Sequence, residues 1–133
     1  MWRAAEQAKG PDGKRHSRVA VIRNTYPELS LTTVKTFEQW AAGVGEWKRN
    51  PPITYKLQTG DIDLEVVFLA LDSDDDVKKL LSLELTFAWI NEAREVPKAI
   101  FDALTGRVGG YPAKVMGGAS WYGIIADSNQ PDN

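Results

Sequence analysis

The sequence has no cysteine and only one histidine, His16, among its 133 residues. The lack of cysteine excludes disulfide frameworks, thiolate chemistry and cysteine-based zinc sites, and a single histidine excludes a histidine-based metal site. No run approaches the ~18 continuous apolar residues of a membrane span, so we expect no membrane partner. The opening residues MWRAAEQAKG hold no apolar core long enough for a signal peptide. A reducing, soluble, intracellular setting is therefore the expectation.

An excess of charge of either sign is also missing. Sixteen Lys and Arg residues face 18 Asp and Glu residues, which gives a formal net charge of −2. No global basic field therefore indicates nucleic acid or a membrane surface, although a protein can carry basic surface on another domain or subunit. What is present is an ordinary globular composition, 43% hydrophobic and 26% charged, with five Trp, four Tyr and four Phe to anchor one core.

Short apolar strands alternate with helical segments along the chain. RVAVI (18–22), LTFAWI (85–90) and WYGIIA (121–126) are typical of buried strands. ITYKLQTG (53–60) and DLEVVFLAL (63–71) predict an antiparallel hairpin across a Gly-Asp turn. This alternation predicts an α/β fold with a mostly parallel sheet, flanking helices and an inserted hairpin.

Helices are predicted between these strands. A short helical piece is expected at residues 2–8, followed by a polar loop at 9–17. A second helix should begin near Ser30, a third follows the acidic residues after position 71, and a fourth begins at Pro97 and ends at Gly106. The expected inward residues are Leu31, Val34, Phe37 and Trp40 in the second helix, and Val96, Ile100, Phe101 and Leu104 in the fourth.

Polar residues follow three of the predicted strands. They are Arg23-Asn24, Asn91-Glu92 and Asp127-Ser128-Asn129. In open α/β sheets, ligands bind outside the carboxyl ends of the strands. A single polar strand end is usually only the start of a loop, but three together, two of them acidic, indicate a site.

The sharpest of the three is LTFAWINEA, which has the Walker B arrangement of P-loop motors. In that arrangement the first residue after the strand helps hold Mg²⁺, and the following Glu positions or deprotonates the attacking water. Here the first residue is Asn91 where Asp is usual, and a neutral amide is the weaker Mg²⁺ ligand. We therefore predict Glu92 as the catalytic carboxylate and Asn91 as a weak metal ligand.

The Walker A loop, G-x-x-x-x-G-K-[ST], does not occur in the sequence. Gly13-Lys14 is followed by Arg15, and no matching glycine precedes it. A phosphate cradle of backbone amides therefore has no place in these residues. We expect this polypeptide alone to bind ATP poorly or not at all.

Longer runs carry a resemblance to a known family. They are RVAVIRNTYPELSLTTVKTFEQW, LEVVFLALD, VKKLLSLELTFAWINEAREVPKAIFDALTGRVG and WYGIIADSNQPDN. In this order, over about residues 2–133, the chain resembles the large terminase subunits of tailed phages and prophages. The resemblance implies a truncated RecA-like, ASCE-type P-loop ATPase domain. Residues 1–133 would begin just after the Walker A loop and end after the coupling motif, without the nuclease domain.

The resemblance also implies a function. The parent protein would hydrolyse ATP with Mg²⁺ to drive double-stranded DNA into procapsids, as a homo-oligomeric ring in the cytoplasm of a bacterial host. Its partners would be the portal, the procapsid and the small terminase subunit. By position, Asn91 and Glu92 match the Walker B pair, and Asp127, Ser128 and Asn129 match the coupling motif that senses the γ-phosphate. Arg23 is the candidate to meet phosphate from the same edge.

Two further cations and two other functions stay open. Arg107 and Lys79 are candidates to act on a neighbouring subunit or to contact DNA, and a solvated or structural charge is the alternative for each. A non-catalytic prophage remnant or interaction module of the same fold is favoured by the missing Walker A loop and by Asn91. A helicase-like nucleotide-binding domain predicts helicase features that the sequence does not have.

Overall fold

The computed structural model describes residues 7–41, 43–50, 52–72, 74–116, 118–119 and 122–127. Their centre is one six-stranded sheet with the strand order β2-β3-β4-β1-β5-β6. The strands are β1 (Arg15–Arg23), β2 (Glu46–Lys48), β3 (Ile53–Thr59), β4 (Ile62–Ala70), β5 (Phe87–Ile90) and β6 (Gly123–Ala126).

The sheet combines a parallel part with an antiparallel extension. β1 pairs in parallel with both β4 and β5, and β5 pairs in parallel with β6. β3 and β2 continue the sheet beyond β4 in antiparallel fashion. Gly60, at a φ of 57°, forms the tight turn between β3 and β4. The predicted mostly parallel sheet with an inserted hairpin is confirmed, and β2 is an additional short strand.

Helical segments connect the strands. They are α1 (Tyr26–Glu28), a π-helical turn (Leu29–Thr33), α2 (Val34–Trp40), α3 (Asp74–Ser82) and α4 (Lys98–Thr105). α1 begins where the Thr25 side chain accepts a hydrogen bond from the backbone N–H of Glu28 at 3.4 Å, an N-cap that the sequence supplies. No helix in the described ranges is long and apolar enough to cross a membrane.

Two apolar clusters lie on opposite faces of the sheet. On one face, Phe37 from α2 packs edge-on against Tyr55 and Phe68, with ring centroids 5.1 and 5.3 Å apart; we call this the aromatic face. The opposite cluster is mostly aliphatic; of the four predicted inward residues around α4, Val96 and Leu104 are buried in it, and Ile100 and Phe101 pack against it partly buried. Helices thus cover both faces, as in other α/β domains.

The helical segment after β1 differs from the prediction. It begins at Tyr26 rather than near Ser30, and its π turn carries an extra residue per turn. Leu29 and Thr33 at the two ends of this turn are buried, while Leu31 between them is 68% exposed and Trp40, the last residue of α2, is 55% exposed. The expectation that Leu31 and Trp40 face the core was wrong, because Leu31 lies between the two buried ends of the π turn and Trp40 lies at the end of its helix.

Some predicted boundaries also move. β1 begins at Arg15 because Arg15–Ser17 pair with Ile62–Leu64, so the polar loop ends before that point. Residues 7 and 8 are not helical, and the rest of the helix predicted at 2–8 lies outside the described residues, as does Trp121.

Candidate functional site

The strand register places three predicted site residues in one row. Arg23 ends β1, and Asn91 and Asp127 each follow the last residue of their strands. The backbone N–H of Asn91 donates to the carbonyl of Ile22 at 2.9 Å, and that of Asp127 donates to the carbonyl of Ile90 at 3.0 Å, so the ladder continues to these positions. Because side chains alternate along a strand, all three residues lie on the aromatic face.

Arg23 is almost buried, at 8% exposure. Its Nη1 donates to Oδ1 of Asn91 at 2.8 Å, and its Nη2 pairs with the Glu28 carboxylate at 2.5 Å. A longer contact of 3.4 Å joins Nη1 to the hydroxyl of Thr33. The guanidinium predicted to meet phosphate is therefore directed at Asn91 and neutralised by Glu28.

Asn91 links the two charged residues of the row. Its Oδ1 accepts from Arg23 and also from Thr33 Oγ1, at 2.8 Å each. Its Nδ2 donates to Oδ1 of Asp127 at 2.9 Å. An amide oxygen has two lone pairs, and both are used here.

Asp127 holds the turn that follows β5. Its Oδ1 accepts from the backbone N–H of Glu92 at 3.2 Å, in addition to Asn91. Its Oδ2 accepts from the indole Nε1 of Trp89. Its backbone carbonyl accepts from the N–H of Ala93 at 2.7 Å. The residue directly after β6 thus fixes the backbone on both sides of Glu92.

Glu92 has a left-handed backbone, with φ 56° and ψ 57°. It is the one non-glycine residue with a positive φ in the described part of the chain, and it is 8% exposed. For a residue with a Cβ, this conformation costs roughly 1–2 kcal/mol, and such residues cluster at functional sites. Glycine would adopt the turn at less cost, so the strain indicates that the Glu92 side chain matters here.

The side-chain oxygen atoms around Asn91 are not suited to bind Mg²⁺ at this residue. Magnesium needs oxygen ligands with available lone pairs, and both lone pairs of the Asn91 amide oxygen accept hydrogen bonds. Asp127 retains one lone pair on Oδ2 beyond its three hydrogen bonds. Across the described ranges, no group of three or more His, Asp or Glu side chains is arranged to hold a metal ion.

The remaining predicted residues do not join this row. Ser128 and Asn129 lie outside the described residues. The carbonyl of Arg107 accepts from the N–H of Leu85 just before β5, so Arg107 lies at the amino end of the sheet. Lys79 lines an open groove of about 440 Å³ together with side chains of β1 to β4. The suggested roles of Arg107 and Lys79 remain predictions.

Three members of the network were not predicted from the sequence. Trp89, expected in the core, does pack against the aromatic cluster, but its indole also donates to Asp127. Strand alternation was a usable signal, since Trp89 lies two residues before Asn91 on the same face. No sequence pattern indicated Thr33 or Glu28, because their contacts with Asn91 and Arg23 depend on the path of the helical segment and its π turn.

By sequence, the chain matches no protein-family model and no curated protein. In structure it is similar to the large terminase from the thermophilic bacteriophage D6E, with a TM-score of 0.60 and 10% identity over 87% of this chain and 27% of that chain. The same terminase in complex with ADP gives a TM-score of 0.55 and 11% identity over 86% and 27%. The large terminase ATPase domain of Thermus phage P74-26 gives 0.49 and 16% over 88% and 49%.

This chain spans 27% of the length of the D6E terminase chain. Both D6E structures match nearly all of this chain, and at 10% and 11% identity the agreement concerns the fold. The resemblance to large terminases noted in the sequence is therefore confirmed for the arrangement of strands and helices. The chain has the α/β fold of the part of the D6E large terminase that it matches.

Proposed function

We propose that this chain is part of an ATP-hydrolysing motor that packages viral DNA, and that Arg23, Asn91, Glu92 and Asp127 form its hydrolysis and coupling side. One observation carries the proposal. Residues from three parallel strands meet in one hydrogen-bonded network at the carboxyl ends of the strands, where α/β proteins bind their ligands. A strained, almost buried glutamate lies in the middle of that network.

Glu92 is the proposed catalytic carboxylate, which orients the attacking water and accepts its proton. Phosphoryl transfer depends mainly on positioning and on electrostatics, and the Glu92 backbone is held by the Asp127 carboxylate at 3.2 Å. Asp127 begins the proposed coupling motif, which continues through Ser128 and Asn129. A shift of the end of β6 on γ-phosphate binding or loss would therefore move the Glu92 turn directly.

The proposal assigns no phosphate cradle to these residues, because the sequence has no Walker A loop. It also assigns no Mg²⁺ to Asn91, because both lone pairs of the Asn91 side-chain oxygen already accept hydrogen bonds. The D6E terminase has been seen in complex with ADP, which supports an adenine nucleotide as the substrate class. Double-stranded DNA, portal, procapsid, small terminase subunit and a ring of identical subunits in the bacterial cytoplasm complete the proposed setting.

A second candidate is a non-catalytic remnant or interaction module of the same fold. It is favoured by the engaged Asn91 oxygen, both of whose lone pairs accept hydrogen bonds within the protein. Under this alternative the strand-end network would only hold the fold together. Turnover measurements distinguish the two candidates.

The test compares Glu92→Gln with Glu95→Gln in a polypeptide that carries these residues together with a Walker A loop. Glu95 lies in the same turn, and its carboxylate accepts a 2.6 Å hydrogen bond from Asn24. We expect Glu92→Gln to lower ATP turnover by about 100-fold or more with unchanged ATP binding, and Glu95→Gln to keep both. Full turnover in Glu92→Gln would refute the catalytic assignment, and a lack of turnover in all versions would favour the non-catalytic alternative. For the 133-residue chain alone, we expect no measurable hydrolysis.

A further inference from the structure

We infer that Asn91 is a positioning residue, a neutral bridge that fixes the Asp127 carboxylate and through it the Glu92 turn, and that Thr33 orients this bridge. The inference deepens the proposed function and rests on it where turnover is measured. It assigns Asn91 a different role from the weak metal ligand that the sequence suggests. It also gives Thr33 a role that the sequence pattern does not indicate.

The chemistry on the two sides of Asn91 requires an amide. On one side a guanidinium and a hydroxyl donate to its oxygen, both at 2.8 Å. On the other side its N–H donates to the Asp127 carboxylate at 2.9 Å. The amide dipole thus lies between a cation and an anion with its ends matched to both, an arrangement in which each hydrogen bond strengthens the next.

An aspartate at this position would satisfy only one side. Its first oxygen would still accept from Arg23 and Thr33. Its second oxygen would face Oδ1 of Asp127 across the 2.9 Å that an N–H now spans, and like charges at this distance oppose joint ionisation. With Asp127 on the neighbouring strand, asparagine is the residue type that fits, so Asn91 is not simply a weakened ligand.

Thr33 reaches Asn91 from a part of the chain 58 residues away. It is 1% exposed and ends the π turn, which rotates it towards the sheet. π turns are frequent at functional sites. The same helical segment supplies Glu28, the partner of Arg23, so the segment after β1 controls the amide oxygen of Asn91 both directly and through Arg23.

A continuous path follows from these contacts. The helical segment positions the amide of Asn91, the amide positions the carboxylate of Asp127, and this carboxylate holds the backbone of Glu92. A displacement of the segment would therefore reach the proposed catalytic turn without any contact between Thr33 and substrate. Thr33 and Asn91 act through other residues and touch no reacting atom.

Asn91→Asp separates this role from that of a metal ligand. The 133-residue chain is examined by thermal unfolding and by Mn²⁺ titration with water-proton relaxation, and turnover is measured in the polypeptide that includes a Walker A loop. We expect a lower melting temperature, no gain in Mn²⁺ affinity and reduced turnover. A tenfold gain in Mn²⁺ affinity, the size expected from 1.4 kcal/mol at a metal position, or a gain in turnover would overturn the inference.

Thr33→Val and Thr33→Ser test the orientation of the bridge. Valine removes the hydroxyl at nearly constant volume, serine keeps it, and Thr36→Val is the matched control because its hydroxyl donates only to the carbonyl of Thr32 at 2.9 Å. We expect Thr33→Val to lower kcat about 2–10-fold at unchanged KM for ATP, as for the loss of one hydrogen bond. Serine should restore kcat, and Thr36→Val should leave it unchanged.

The side-chain amide resonances of Asn91 provide a readout that needs no turnover. We expect Thr33→Val to shift its ¹⁵N–¹H₂ signals in the 133-residue chain, and Thr36→Val to leave them in place. Unshifted signals in Thr33→Val would overturn the bridge. If no polypeptide turns over ATP, the proposed function fails, while the amide signals and the Mn²⁺ titration still decide the role of Asn91.

Discussion

The two ends of the parallel sheet are both held by charged side chains, but in different ways. At the amino end, Arg15, His16 and Arg18 of β1 each meet a carboxylate from β4 or from the turn before it, at 2.9, 2.8 and 2.7 Å. These are direct contacts of a basic side chain with a carboxylate at the partly exposed border of the sheet, and two of their members have a second partner, His16 in Asp12 and Asp61 in Lys9. At the carboxyl end, Arg23 and Asp127 do not meet, and neutral Asn91 lies between them.

The difference shows which end is suited to a site. The contacts at the amino end join β1 to β4 or to the turn before it. The removal of one such contact should have little effect on the stability that the others contribute. In the row of Arg23, Asn91 and Asp127, the same atoms serve several partners, and the strained Glu92 turn depends on them. A connected, strained network is the arrangement in which one change is felt by every member.

The largest expected effect comes from removing Asp127. Asp127→Ala takes the acceptor from Asn91, from the Glu92 N–H and from the Trp89 indole together. We expect a loss of about 3 kcal/mol in the free energy of unfolding, measured by urea denaturation. Asp63→Ala, its counterpart at the amino end, should cost about 1 kcal/mol or less. Equal losses in the two variants would remove the contrast between the ends.

Relief of the strained turn should have a smaller effect on stability. Glu92→Gly removes the Cβ from a left-handed position; the strain relief of roughly 1–2 kcal/mol is opposed by the lost contacts of a buried side chain and by the freedom of glycine in the unfolded chain, so we expect the free energy of unfolding to change by less than about 1 kcal/mol. ATP turnover should be lost in the same variant, because glycine lacks the carboxylate that the strained backbone of Glu92 holds in place. A clear loss of stability would show that the Glu92 side chain is mainly structural.

At the amino end, pH should change stability through His16. The hydrogen bond that the His16 ring donates to the Asp12 carboxylate is the main cause that raises the pKa of His16 above 6.5; burial opposes this rise, and Asp63 adds to it. A raised folded pKa means that the stabilisation is complete below the unfolded value and is lost as pH rises through the folded one. At pH 5 the unchanged protein should therefore melt at a higher temperature than His16→Gln, and this difference should shrink as the pH is raised to 9. A pH-independent difference would contradict the charged pair.

The smallest effect is expected for Lys9, which lies 3.5 Å from Asp61 with 54% of its side chain exposed. The pKa of Asp61 is lowered mainly by the hydrogen bond from Arg15, and Lys9 adds less. Lys9→Gln should change the free energy of unfolding by less than about 0.5 kcal/mol. A loss above 1 kcal/mol in urea denaturation would mean that the amino end is also cooperative.

Much of the fold was predictable because the parallel strands are short apolar runs that end in polar residues. β1, β5 and β6 and the hairpin follow from hydrophobic pattern and turn chemistry, and so does the edge at which Arg23, Asn91 and Asp127 meet. β2 was not predictable in this way, since Glu46–Lys48 carries two charges around one Trp and is fixed by pairing with β3. The early start of β1 likewise depends on pairing with β4.

The interior of the site was less predictable than its location. Strand alternation places Asn91 beside Asp127, but no local pattern shows that Thr33 occupies the second lone pair of its oxygen. That contact depends on a π turn, which is rare in proteins and which no pattern in this segment predicts. The left-handed Glu92 was equally hidden, because a sequence pattern would place glycine or asparagine there.

The most direct test of the central claim compares the charge at the two ends of the sheet. Asp127→Asn and Asp63→Asn each remove one carboxylate and keep its shape, and ATP turnover is measured for both in a polypeptide that includes a Walker A loop. We expect a loss of about 10-fold or more for Asp127→Asn and unchanged turnover for Asp63→Asn. Equal turnover in the two variants would contradict the assignment of the carboxyl end as the catalytic and coupling side.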